Sequence, residues 1–166
     1  TSNMANRALG RLMAGLTAKV FRTYIATKTV QDYLNGNSSN SVSADDFVKL
    51  YHAKMANLEA AIRCNHKRTA PKNWQESLRK KEERLQHLMS TNPKTEKARE
   101  RLGGTINKVR LQIELAKATR DYNLNTSLKN YIDPRVYRRW AKQVQLDWKV
   151  IYTKALQRKF AWARVR

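Results

Sequence analysis

Two stretches of this chain repeat one spacing of side chains, and that spacing dictates how they fold. Trp74, Leu78, Lys81, Leu85 and Leu88 are separated by 4, 3, 4 and 3 residues, and so are Leu102, Ile106, Val109, Ile113 and Ala116. Steps that alternate 4 and 3 keep side chains on one stripe of an α-helix, and a heptad stripe needs a second helix to cover it. Thr91-Asn92-Pro93 and a polar stretch lie between the two, so the second helix turns back on the first. The spacing predicts an antiparallel hairpin with arms over 73–90 and 105–120, Gly103-Gly104 weakening the start of the returning arm. An arm of about 16 residues reaches only ~24 Å. The hairpin is therefore an appendage, and the rest of the chain must build the body.

The flanks also read as helix. Leu9, Leu12, Met13 and Leu16 form an amphipathic stripe that Gly15 can end. Val20, Phe21, Tyr24 and Ile25, then Val30, Tyr33 and Leu34, form a second. The apolar-free run Asn35-Gly36-Asn37-Ser38-Ser39-Asn40-Ser41 predicts a loop. Ser43 is the expected N-cap of a third helix, with Asp45 and Asp46 in its first turn and a stripe from Phe47 to about Cys64. Asp133 and Pro134 predict another helix start, followed by Val136, Trp140 and Val144. A last helix is expected from about Asp147 to Trp162. Nowhere does a two-residue alternation run long enough for a strand, so the expected fold class is all-α. The expected boundaries are 1–71, 72–121 for the hairpin, and 122–166.

A hydrophobic content of 41% with four Trp argues against disorder. No apolar run is long enough to span a bilayer as a helix. A single cysteine, Cys64, excludes an internal disulfide framework and a zinc ribbon, fits a reducing compartment, and on an apolar helical face reads as buried. With three histidines, neither a metal centre nor a cofactor is expected. The formal net charge of +21 is the strongest compositional signal, because a small chain carries such an excess best against a polyanion. Nucleic acid is the first candidate partner and an anionic membrane surface the second. The charge is uneven: residues 1–31 hold five basic residues and no acid, 135–166 hold ten and one, and the hairpin region is mixed. The two ends read as contact surfaces and the middle as a solvated face. Trp140, Trp148 and Trp162 are expected in the core. Thr1 stands where an initiator Met would, and the expectation is that the chain is a piece of a larger unit.

Three segments are not explained by periodicity: Lys19-Val20-Phe21-Arg22-Thr23-Tyr24, Cys64-Asn65-His66-Lys67-Arg68, and Asn130-Tyr131-Ile132-Asp133-Pro134-Arg135. In that order, with a helical hairpin between the second and third and Lys159-Phe160-Ala161-Trp162-Ala163 after them, they resemble eukaryotic type IB DNA topoisomerases over nearly the whole chain. The resemblance implies the helical end of a catalytic core (1–71), a hairpin linker (72–121) and a tyrosine-bearing C-terminal domain (122–166). It makes Tyr131 the nucleophile that forms a 3′-phosphotyrosyl link with DNA, without ATP. Arg22 and His66 would donate hydrogen bonds to the non-bridging phosphate oxygens. Lys19, Lys129, Asn130, Arg135, Arg138, Arg139 and Lys142 would contact the nucleic-acid backbone.

The same resemblance places a further Arg and a general-acid Lys upstream of residue 1. It also marks departures. Leu128-Lys129 reverses the family's order of a Lys before an apolar residue, Ile25 replaces an Asn, the hairpin is short, and the tail Arg164-Val165-Arg166 is basic where the family tends to be acidic. Two readings follow. In one, the chain is the C-terminal part of a type IB topoisomerase, an isomerase inactive alone and working with a protein chain that carries the upstream segments. In the other, it is a non-catalytic basic subunit binding nucleic acid, such as ribosomal RNA in a mitochondrial ribonucleoprotein. Neither reading has a membrane partner, and the compartment stays open between nucleus and mitochondrion.

Overall fold

The chain folds into a series of helices, and a computed structural model describes residues 1–164 of it. Val165 and Arg166, in the basic tail, lie outside the described residues. The order is α1 (Ser2–Leu12), α2 (Ala18–Ser41), α3 (Asp46–Arg63), α4 (Trp74–Ser90), α5 (Glu96–Ala118), α6 (Leu124–Asn130), α7 (Pro134–Gln143), a 3-10 turn (Trp148–Ile151) and α8 (Lys154–Lys159). The fold is all-α, as the spacing predicts. Gly15, at φ +81°, makes the turn between α1 and α2 in a left-handed conformation that suits glycine. Asn123, Asp133, Asp147 and Thr153 each accept a backbone N–H at a helix start, so every C-terminal element begins with its orphan donors partly satisfied.

Several boundaries differ from expectation, for physical reasons. The polar run 35–41 is helical, not a loop. The Ser38 and Ser41 hydroxyls donate to the carbonyls of Leu34 (2.7 Å) and Asn37 (2.8 Å), one turn back. Both serines are buried and extend the inward stripe of Ala26, Val30 and Leu34 at helical steps. The N-cap of α3 is Asp45, not Ser43. Helix α5 starts nine residues before the expected 105, at Glu96. The Thr95 hydroxyl accepts the Ala98 N–H (3.3 Å) and Arg99 pairs with Glu96 (2.7 Å), a start strong enough to carry Gly103-Gly104 inside the helix. The expected last helix is broken at Tyr152, which is extended and buried, and resumes at α8. Trp140 is in the core and Trp148 packs against it, but Trp162 is 61% exposed, with Arg135 over its ring at 5.9 Å.

Segments 1–71 and 122–164 share one core. Ala26, Val30 and Leu34 of α2 and Ala53, Ala56 and Ala60 of α3 pack with Tyr137, Trp140, Ala141 and Val144 of α7, closed by Tyr152 and Phe160. Small residues on α3 let the larger aromatic side chains of α7 approach it closely, and the Tyr137 hydroxyl donates to the Ala53 carbonyl (3.0 Å). The hairpin of α4 and α5 stands on this body. Trp74 Nε1 donates to the Ala116 carbonyl (3.1 Å) and Lys117 pairs with Glu82 (2.8 Å) across the arms. Tyr51 on α3 donates to the Glu114 carboxylate on α5, tying the hairpin base to the body. Only Val109 and Ile113 of the seam are buried, while Lys81 folds back onto Ser77 (2.7 Å).

Tyr137 is fully buried and links two helices. Tyr137→Phe, which removes only the hydroxyl, should cost about 1 kcal/mol of unfolding free energy. Tyr137→Ala, which opens a cavity, should cost about 3–5 kcal/mol. Urea unfolding of the two variants checks both values.

Candidate active site

Helices α2, α3 and α6 each bring one side chain to the same place, and local backbone chemistry explains how. Helix α3 ends in a Schellman turn. Cys64 caps it, Asn65 takes a left-handed φ of +54°, and the Asn65 and His66 N–H groups donate to the carbonyls of Ile62 (3.0 Å) and Ala61 (2.8 Å). Asparagine tolerates that conformation better than most residues. The turn throws His66 out of the helix. Asn123 N–H then donates to the His66 carbonyl (2.7 Å) and Arg68 N–H to that of Asp121 (2.9 Å), and Lys67 pairs with Tyr122 in a lone bridge. His66 is thereby fixed against the segment that enters α6.

Asn123 caps α6 by accepting the Thr126 N–H (3.2 Å), and the helix ends at Tyr131, whose N–H donates to the Ser127 carbonyl (2.9 Å). Within one turn of that helix, Ser127 Oγ lies 2.6 Å from His66 Nδ1. The His66 and Tyr131 rings sit 5.0 Å apart, tilted by 31°. Arg22, from α2, places its guanidinium 5.7 Å from the centre of the Tyr131 ring. Arg22, His66 and Tyr131, separated by 109 residues of sequence from first to last, are neighbours. Thr27, also on α2, pins the arrangement: its hydroxyl donates to the Tyr131 carbonyl (3.2 Å) and accepts the Asp133 N–H (3.1 Å).

Burial lowers the His66 pKa, and the nearby positive charge of Arg22 lowers it further, so the imidazole is held neutral around pH 7. Burial raises the Cys64 thiol pKa against the opposing pull of Arg22, so this buried cysteine stays protonated. Burial also pushes the Asp133 carboxyl up, but hydrogen bonds and charge from Arg135 outweigh it and hold it below the usual range. Among the described residues no group of three His, Cys, Asp or Glu side chains could hold a metal ion.

The other expected contact residues are not equivalent. Lys19, Lys129, Asn130, Arg139 and Lys142 are exposed and make no salt bridge among the described residues. Arg135 is exposed but its guanidinium is engaged by Asp133 (2.5 Å). Arg138 is half-buried, stacked 3.6 Å from the centre of the Trp148 ring and donating to the Phe160 carbonyl (3.1 Å), so it holds α7 to the C-terminal segment. Ser127 and Thr27 escape sequence reasoning. Ser127 lies just upstream of the Asn130–Arg135 segment, four residues before Tyr131, and that helical spacing is a usable signal. Nothing in the sequence marks Thr27.

Two family models together match nearly the whole chain. Residues 1–102 match the family model described as eukaryotic DNA topoisomerase I, catalytic core, and residues 104–165 match that of the C-terminal topoisomerase domain. Among curated relatives, DNA topoisomerase 1 of Drosophila melanogaster is 35% identical over 98% of this chain and 18% of its own length. The mitochondrial DNA topoisomerase I of Homo sapiens is 31% identical over 98% of this chain and 31% of its own length. DNA topoisomerase 1 alpha of Arabidopsis thaliana is 33% identical over 95% and 20%. The chain thus spans between about a fifth and a third of the length of these relatives.

The lowered His66 pKa has a consequence for stability. On acidification the unfolded chain binds a proton at this position near the ordinary value of about 6.5, before the native chain does. Stability should therefore be fully present above that pH and fall as pH drops through the lower native value. His52, packed between the Tyr33 and Tyr51 rings and lowered by burial, acts in the same direction. Urea unfolding at neutral and mildly acidic pH should show this loss, and His66→Gln should make it shallower.

Proposed function

The chain belongs to the eukaryotic DNA topoisomerase I family, and we propose that it carries the nucleophile and two phosphate-binding residues of a type IB DNA topoisomerase. The observation that carries the reading is the meeting of Tyr131, Arg22 and His66 at the junction of three helices. The Tyr131 phenolic oxygen loses its proton and attacks a backbone phosphorus of DNA. The bond to the 5′ oxygen breaks, that oxygen takes up a proton, and the 3′ phosphate remains on Tyr131. Rotation about the intact strand changes the linking number, and attack by the 5′ hydroxyl reverses the first step. No ATP is needed, since the phosphotyrosine keeps the bond energy.

Arg22 and His66 differ in what they offer the phosphate. Arg22 is a cation and binds a non-bridging oxygen by charge and by its planar fork. His66, neutral, offers one N–H and no net charge, which suits charge developing on a single oxygen in the pentavalent transition state. In this reading the second Arg and the general-acid Lys come from outside these 166 residues, from upstream segments that act with this chain, so that the 166 residues alone do not relax DNA. Residues 1–71 form the end of the core, 72–121 the linker and 122–166 the tyrosine-bearing domain. Exposed Lys19, Lys129, Asn130, Arg139 and Lys142 follow the DNA backbone, with the site working in the nucleus or the mitochondrion.

The decisive experiment mixes the chain, with and without a polypeptide carrying the upstream segments, with supercoiled DNA. Relaxation and a covalent protein–DNA adduct are expected in the mixture only, and both should vanish in Tyr131→Phe. Absence of any adduct together with tight binding to structured RNA would overturn the reading in favour of a non-catalytic RNA-binding subunit. Backbone binding makes a separate prediction. Affinity for duplex DNA should fall steeply with salt, and the double variant Arg139→Ala/Lys142→Ala should weaken binding to all sequences alike and reduce the slope of log K against log salt by about 2. Electrophoretic mobility shifts over a salt series measure it.

A further inference from the structure

His66 has two ring nitrogens and, being neutral, one proton to place between them. Which nitrogen carries it decides whether the residue can donate to a phosphate at all. Nδ1 lies 2.6 Å from Ser127 Oγ. Nε2 is buried and has no hydrogen-bond partner. Ser127 is fully buried, and His66 Nδ1 is the one partner its hydroxyl has among the described residues.

Counting the alternatives is enough to choose. If the proton sits on Nδ1, it donates to Ser127 Oγ; the serine O–H is then left buried without an acceptor, and the Nε2 lone pair is left buried without a donor. If it sits on Nε2, the serine O–H donates to the Nδ1 lone pair, and only the Nε2–H is left without a partner. The second arrangement leaves one unsatisfied group rather than two, and each such group is costly to leave buried. The group it leaves open is a donor on a ring whose centre lies 5.0 Å from that of Tyr131, with the Arg22 charge nearby.

We propose that Ser127 is a positioning residue that holds His66 in the Nε2–H tautomer, so that the unpartnered donor is preset for an anionic oxygen arriving at Tyr131. The identity of that oxygen as a phosphate rests on the topoisomerase reading above; the tautomer and its dependence on Ser127 do not. The location of Ser127 suits the task. It stands one helical turn before Tyr131, and its carbonyl accepts the Tyr131 N–H (2.9 Å) while its hydroxyl faces His66. One residue thereby sets the orientation of the histidine and the end of the helix that presents the tyrosine.

Two-bond 1H–15N correlation spectra of the full chain, labelled with 15N-histidine, at neutral pH report the tautomer directly. The expected His66 pattern is one protonated nitrogen, Nε2, and one acceptor nitrogen, Nδ1. In Ser127→Ala the two 15N shifts should move toward each other as the ring becomes a mixture of tautomers, and in Ser127→Thr, which keeps the hydroxyl, they should stay apart. A wild-type ring protonated on Nδ1, or an unchanged pattern in Ser127→Ala, overturns the proposal even if Tyr131 forms a DNA adduct. Conversely, the expected pattern in a chain that forms no adduct with any DNA even when mixed with the polypeptide carrying the upstream segments upholds the tautomer assignment and sinks only the catalytic reading. Should Ser127→Ala not fold, as judged by circular dichroism, the wild-type spectrum alone decides.

Discussion

A single threonine hydroxyl joins the two halves of the site. Thr27 donates to the Tyr131 carbonyl and accepts the Asp133 N–H, and it does so from α2, the helix that also carries Arg22. The peptide groups it satisfies lie where α6 has ended and α7 has not begun, so neither helix can supply those partners. Five residues along a rigid helix then fix Arg22 with respect to the tyrosine. The buried stripe of α2, with Ala26 and Val30 flanking Thr27 and Leu34 beyond, holds that helix against α7 and keeps the hydroxyl in reach. Packing and site geometry are thus one problem: whatever loosens α2 from the core moves Arg22 and Tyr131 apart.

The charge of the chain is arranged around this constraint. A core that unites segments 1–71 and 122–164 brings together the two ends that hold the most one-sided positive charge. Their mutual repulsion is a cost of folding that hydrophobic burial must offset, and binding a polyanion relieves it. Part of that charge is nonetheless neutralised or buried by the fold. Arg138 stacks on Trp148, and Arg135 and Asp133 neutralise one another. In the hairpin, Arg79, Glu76 and Glu83 form a surface network whose members are all largely exposed, so it contributes solubility more than stability.

Much of this was legible in the residues. The 4, 3, 4, 3 spacing located both hairpin arms because a heptad stripe has no stable alternative to a partner helix. Asp133-Pro134 located α7 because the pair fits a helix start and nothing else so well. Tyr131, Arg22 and His66 were singled out through ordered motifs, not through any property of the single residues, and the fold makes them neighbours. Several of the misses share a cause: polar side chains that satisfy backbone groups within the fold look, along the sequence, like loop or surface. Ser38 and Ser41 made a helix resemble a linker by composition, yet each bonds its own helix one turn back. Thr27 bonds a segment 104 residues away, and no local pattern encodes that.

Ser127 and Arg22 act on His66 in the same sense by different physics. The guanidinium disfavours a second positive charge beside it, whereas the serine offers a donor that only an unprotonated Nδ1 can accept. An imidazolium at this position would leave the buried serine O–H stranded as well as repel Arg22. Both effects keep the ring neutral with a donor at Nε2, and neither requires a carboxylate behind the histidine, the usual device for fixing an imidazole. A carboxylate there would favour the imidazolium and would place a negative charge near the phosphate position proposed above. A serine sets the tautomer without either penalty, which suits the phosphate contact proposed for His66.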